Sequence, residues 1–241
     1  MLFPLLFLAC SRPAPPAPPD PPAPVLEHHV IQTAEAPPNA TLPLLIAVHG
    51  LGDRPEHFQG AVADLQVPAR VVLPRAPTPT ASGGGSWFAF RRDDLDRASF
   101  GLRLHTAAEE VVALTDWAED HFPTAGDPVI TGFSQGGMVS FAVAAGWPDH
   151  IAAAFPVGGD LPLSLVPASP PAHLPHIEAF HGDDDRVVPI AGPLAAIAAL
   201  AERGYTARLH RYAGLTHGIS EDLRAAWHAA LETALGEQAL R

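Results

Sequence analysis

The chain contains no lysine, because all 14 of its basic residues are arginine. That absence excludes a Walker-type phosphate loop, whose lysine reaches the phosphates, and any mechanism through a lysine Schiff base. Cysteine is almost as scarce. Cys10 stands alone, so no disulfide can close within one chain, and the body of the protein has neither a cysteine metal site nor a thiol nucleophile. Positive charge is short as well. With 26 acids the formal charge is −12, and this balance lacks the basic face that phosphate neutralisation requires, which excludes nucleic acid as a partner. The apolar run MLFPLLFLA at residues 1–9 is too short to span a bilayer.

What is present describes a globular domain with an appendage. A hydrophobic share of 47% with 17% charge rules out a disordered chain, and 20 glycines without a G-X-Y period rule out collagen. Nine of the 28 prolines fall within the first 24 residues, a density that packs no core. The remaining residues, 25–241, suit one domain. The apolar run followed by Cys10, Ser11 and a proline tract to Pro24 resembles a bacterial lipoprotein signal. The resemblance implies a removed segment 1–9, a lipidated N-terminal Cys10, and a linker at 10–24 reaching roughly 40 Å at about 3 Å per residue. It places the protein at the cell envelope, with a lipid anchor as its membrane contact; if the N-terminus is not a signal, the expected location is cytoplasmic.

Short continuous apolar runs bounded by turn residues read as buried parallel strands, at 25–33, 42–49, 70–73, 128–133, 151–157, 176–181 and 207–212. Helical spacing appears at 102–121, 138–145, 193–203 and 221–235. In the last of these Leu223, Trp227 and Leu231 recur four apart. Strands alternating with helices predict an α/β, three-layer sandwich built on a mostly parallel sheet.

Ligand chemistry in such sheets sits at the carboxyl ends of the strands, and four loops there carry it. Gly132-Phe133-Ser134-Gln135-Gly136 puts a serine on a sharp turn between strand and helix. Such a turn exposes the hydroxyl, and the flanking glycines leave room for nearby backbone. In His181-Gly182-Asp183-Asp184-Asp185 a carboxylate can fix a histidine tautomer, although three adjacent acids also suit a solvated turn or, more weakly because the spaced D-x-D-x-DG ligands are absent, a cation site. Tyr212 to Gly218 holds His217 between glycines, and Ser134, then Asp185, then His217 is the chain order of α/β-hydrolases. His49-Gly50-Leu51-Gly52-Asp53 follows the second strand. A tetrahedral oxyanion needs two backbone N–H donors, and here they would come from Leu51 and from Gln135, the residue after the serine. His49 reads as a loop-shaping residue rather than a second base.

Together HGLGD, GFSQGG, HGDDDRVVP and the Tyr-Ala-Gly-Leu-Thr-His segment resemble the phospholipase/carboxylesterase family, over roughly residues 42–235. The resemblance implies a compact α/β-hydrolase with no large cap domain, acting on a small-molecule ester or thioester with neither metal nor other cofactor. It implies Ser134 as nucleophile, His217 as base and Asp185 as orienting acid, chosen over Asp183 and Asp184 by the Val-Pro that follows. Ser86-Trp87-Phe88 resembles the family's Ser-Trp-Phe segment near the acyl site, with Ala89 in place of the usual Asp. Trp87 and Phe88 are therefore expected to bind substrate or to pack the core. Gly83, Gly84 and Gly85 predict a mobile loop at 76–101 over a shallow acyl groove. A feruloyl-esterase-like or polyester-depolymerase-like hydrolase with the same three residues is the nearest alternative activity; a non-catalytic envelope binding protein is the alternative of another class.

Overall fold

The computed structural model describes residues 26–37, 39–89 and 97–241. Cys10 and the signal and linker readings lie outside the described residues. In chain order the elements are β1 (His28–Thr33), β2 (Leu44–Val48), α1 (Pro55–Phe58), β3 (Ala69–Pro74), β4 (Thr78–Pro79), β5 (Gly85–Ser86), α2 (Arg97–His121), β6 (Val129–Phe133), α3 (Gln135–Gly146), β7 (Ala153–Val157), β8 (His176–Gly182), α4 (Ala191–Glu202), β9 (Ala207–Tyr212) and α5 (Glu221–Gln238). Seven strands form one sheet in the order β1-β3-β2-β6-β7-β8-β9. Strand β1 runs antiparallel to β3, and the other neighbours are parallel.

Burial follows from the apolar runs. Every residue of β2 and β7 is buried, as a parallel strand covered on both faces requires. Successive side chains alternate between the two layers: Leu44, Ile46 and Val48 face the core shared with α2, α3 and α4, while Leu45 and Ala47 face the core closed by α1 and α5. Helix α5 starts at Ser220, whose hydroxyl accepts from the Leu223 amide at 3.3 Å, with Glu221 and Asp222 complementing the positive end of the helix. Its apolar row Leu223, Trp227, Leu231 and Leu235 is fully buried, and the Trp227 indole N–H donates to Thr131 Oγ1 at 2.9 Å. Replacing one buried leucine of this row by alanine would cost about 2–5 kcal/mol.

The seven expected strands all lie in this sheet, and the four expected helices correspond to α2, α3, α4 and α5. Helix α3 begins at Gln135, three residues before its apolar periodicity does, because the poor helix formers Gly136 and Gly137 mask its first turn. These glycines are there for contact. A Cβ on Gly136 would lie 1.9 Å from the Val48 carbonyl oxygen, so the start of α3 presses directly against the end of β2. That contact brings the loop after β2 beside the loop after β6.

Candidate active site

Ser134 sits between β6 and α3 at φ 57° and ψ −116°, a backbone region that side-chain-bearing residues rarely adopt. Its hydroxyl donates to His217 Nε2 at 2.9 Å, and His217 Nδ1–H donates to Asp185 Oδ2 at 2.6 Å. The three residues come from the loops after β6, β8 and β9, and they meet as the sequence order anticipates. His217 is held over Phe133, with ring centroids 4.9 Å apart. Behind it Gly158, at φ 59°, leaves space that a Cβ would fill to within 3.5 Å of His217 Cε1.

Geometry also separates the three adjacent acids. Asp185 is buried, and its Oδ1 accepts from the amides of Val187 at 2.8 Å and Val188 at 2.9 Å. His181, 1% exposed, donates Nε2–H to the Val188 carbonyl at 2.8 Å and lies 3.4 Å from Asp185 Oδ2. Asp183 instead pairs with Arg211 at 2.8 Å on the surface, and Asp184 is exposed. Only Asp185 of the three reaches His217.

The loop after β2 approaches Ser134 closely: a Cβ on Gly50 would lie 3.4 Å from Ser134 Cβ. The amides of Leu51 and Gln135 donate no hydrogen bond among the described residues, so both are available to an oxyanion. His49 shapes this loop. Its Nε2 accepts from the Ala76 amide at 3.2 Å, which leaves the proton on Nδ1 to donate to the Gly50 carbonyl at 2.8 Å. Burial pushes the His49 pKa down and favours this neutral form. The Gly50 carbonyl and the Leu51 N–H belong to one planar peptide, so anchoring the oxygen aims the amide.

Within 76–101, residues 97–101 are the first turn of α2, and residues 76–89 are not the loosely held segment that the three glycines predict. The Gly52 amide donates to the Gly85 carbonyl and the Gly85 amide to the Asp53 carbonyl, each at 2.8 Å. A Cβ on Gly84 would fall 2.0 Å from the Gly52 carbonyl oxygen, and one on Gly85 would fall 2.8 Å from Ala76. The glycines permit close backbone approach, and the hydrogen bonds they allow order the segment. Residues 90–96 lie outside the described residues. Trp87 and Phe88 are only 4% and 5% exposed and belong to the core beneath the loop. Their burial favours the packing side of the expectation.

Sequence reasoning missed the Gln135 side chain. Its carboxamide is buried, with Oε1 accepting from the Trp87 amide at 3.0 Å and Nε2 donating to the Phe88 carbonyl at 2.9 Å. The residues are 47 and 48 apart in sequence, and no local signal connects them.

A mostly parallel sheet covered on both faces, with a strained serine after one strand and its partners after two others, defines an α/β-hydrolase; no large cap domain is evident among the described residues. The model of the Phospholipase/Carboxylesterase family matches residues 26–233, and the chain belongs to that family. Solved structures agree on the fold. Esterase PE8 superposes with a TM-score of 0.72 at 23% identity, covering 87% of this chain and 99% of its own. Acyl-protein thioesterase 2 of Zea mays gives 0.65 at 21% identity, covering 87% and 99%. The Bacillus cereus carboxylesterase gives 0.72 at 14%, covering 87% and 95%. No curated protein sequence matches the chain.

Proposed function

We propose that the protein is a serine hydrolase that cleaves small carboxylic esters or thioesters through an acyl-enzyme on Ser134. The observation that carries this reading is the continuous relay from Ser134 Oγ to His217 to Asp185, at 2.9 and 2.6 Å, on a serine held at positive φ. His217 Nε2 takes the Ser134 proton as Oγ attacks the carbonyl carbon, and the Leu51 and Gln135 amides receive the oxyanion. The imidazolium then protonates the departing alcohol or thiol, leaving the acyl group esterified to Ser134. Water, deprotonated by His217, attacks that ester; the proton returns to Ser134 and the carboxylic acid leaves.

An open groove adjoins the oxyanion loop at Leu51, and we take it as the path along which an acyl chain would leave Ser134. It encloses about 400 Å³, is open, and is lined largely by Asp53, Arg54, His57 and Ser82. Along so open and polar a groove an acyl chain would stay partly in water, so the gain of about 0.8 kcal/mol per buried methylene should end early. Specificity constants over p-nitrophenyl esters should level off or fall by medium chain length. Stoichiometric labelling of Ser134 by a fluorophosphonate, with turnover of p-nitrophenyl butyrate, is the expected result; an unlabelled protein without turnover would overturn the reading. The location at the envelope rests on the N-terminal resemblance, and mass spectrometry for a diacylglyceryl group on Cys10 tests it separately.

A further inference from the structure

The two amides that receive the oxyanion come from different loops, and one buried segment joins them. On one side, the Gln135 carboxamide grips residues 86–88 by two hydrogen bonds, Trp87 N–H to Oε1 at 3.0 Å and Nε2–H to the Phe88 carbonyl at 2.9 Å. The Ser86 hydroxyl donates to the same Phe88 carbonyl at 2.8 Å, so both lone pairs of that oxygen are used. On the other side, the Trp87 indole N–H donates to the His49 carbonyl at 2.8 Å, and the two rings lie 5.3 Å apart. His49 in turn holds the Gly50 carbonyl, which belongs to the peptide carrying the Leu51 N–H. The chain of contacts therefore runs from Gln135 through Trp87 and His49 to Leu51 without a gap.

We propose that Trp87 and the side chain of Gln135 are positioning residues that form a brace across the oxyanion hole, setting the distance between the Leu51 and Gln135 amides. Trp87 then governs turnover from beneath the site rather than through contact with the acyl group. Gln135 has two tasks: its backbone amide faces the reacting oxygen, and its side chain fixes where the opposite amide stands. Preorganised donors stabilise a developing charge only at the right separation, and a misplacement near 1 Å can cost about 10²-fold in rate. The brace is nearly inaccessible to water, Trp87 being 4% and Gln135 3% exposed, so none of its three hydrogen bonds is easily replaced by solvent.

This inference rests on the hydrolase reading, and the test separates the two. Trp87→Phe keeps an aromatic ring in the core but removes the N–H to His49; Gln135→Met keeps the length but removes both side-chain bonds. Active sites are first counted by fluorophosphonate titration, so that misfolded protein does not enter the rate. Per titrated site, kcat should fall about tenfold in Trp87→Phe and about 10- to 100-fold in Gln135→Met, with KM within about twofold. Affinity for a trifluoromethyl ketone, whose hemiketal oxyanion occupies the same hole, should weaken by the same factors. The double variant should lose less than the product of the two, because each change breaks the same brace. A fall in melting temperature with unchanged kcat per site and unchanged ketone affinity would overturn the brace while leaving the hydrolase intact. A wild-type protein that neither labels nor turns over would overturn both. If Trp87→Phe does not fold, Gln135→Met decides by the same two readouts.

Discussion

At the start of β8, Glu178 accepts from His176 Nε2 at 2.8 Å and from His210 Nε2 at 2.9 Å, with Arg208 3.5 Å away. Beyond the end of the same strand, Asp185 accepts from His217. Both ends thus present a carboxylate bound to imidazole, and the start of the strand borders the larger groove, about 640 Å³ against about 400 Å³. Neither cavity size nor a histidine–carboxylate bond therefore locates the chemistry. What the far end adds is a serine in a strained turn within reach of the imidazole, and two amides with no partner among the described residues. The Glu178 cluster has a different outcome: burial pushes its pKa up, but the His176 and His210 hydrogen bonds and the Arg208 charge outweigh this and leave it below the ordinary glutamate value. One of its histidines is fixed by stacking, His210 lying 4.8 Å from the Phe180 ring at 10°. It reads as a part-buried cluster of paired charges.

The comparison breaks first at the proposed nucleophile. Ser134→Ala should abolish hydrolysis with an unchanged circular dichroism spectrum, and purified variant retaining more than about one thousandth of the wild-type rate would remove Ser134 from its role. The two carboxylates should then separate sharply. Asp185→Asn is expected to lower kcat by about 10³- to 10⁴-fold, whereas Glu178→Gln should leave kcat/KM within about twofold. Equal losses in a side-by-side ester assay would refute the distinction between the strand's ends. Asp183→Asn breaks an exposed pair with Arg211, a contact worth about 0–1 kcal/mol, and should change turnover little. Sensitivity there would mean that the acid of the relay was assigned to the wrong member of the triplet.

The smallest expected effect lies away from both ends, in α2. Burial raises the Glu119 pKa to about 7, helped by Asp116 and Asp127. Its folded pKa exceeds the unfolded value near 4.3, so the folded chain holds this proton more tightly. The resulting stability is present below pH 4 and is lost as pH rises toward 7. Glu119→Gln should therefore stabilise the protein at pH 8 by about 1 kcal/mol, or roughly 2–4 °C in melting temperature, and change little at pH 4. Thermal scans at the two pH values check it, and a shift of equal size at both would dismiss the titration.

The sheet strands and the relay residues were legible because each has a local signature: a continuous apolar run, or a reactive residue beside glycines after such a run. The two-residue strands β4 and β5 were not, since neither has a periodicity: β5 is held by the Gly52–Asp53 backbone, and β4 pairs with β5. Helix α1 is too short, at four residues, to show a helical pattern. The glycine triplet illustrates the same limit. Conformational freedom is a property of the residue, but close approach depends on what folds against it, and Gly84 meets Gly52 from 32 positions away. Trp87 was visible as an aromatic near the site, yet whether it faces a substrate or supports a loop is decided by partners at positions 49 and 135.

The positive φ of Ser134 has a consequence for how such a chain changes over generations. A backbone held in that region costs of order 1–3 kcal/mol, which glycine would largely relieve at the expense of some added freedom in the unfolded chain. Ser134→Gly should therefore be an inactive protein somewhat more stable than its parent. In a duplicated gene copy no longer selected for turnover, loss of the hydroxyl is favoured by folding itself. Under relaxed selection the position most important to the proposed chemistry is thus among the least protected by stability, and a serine kept there signals continuing demand for the reaction.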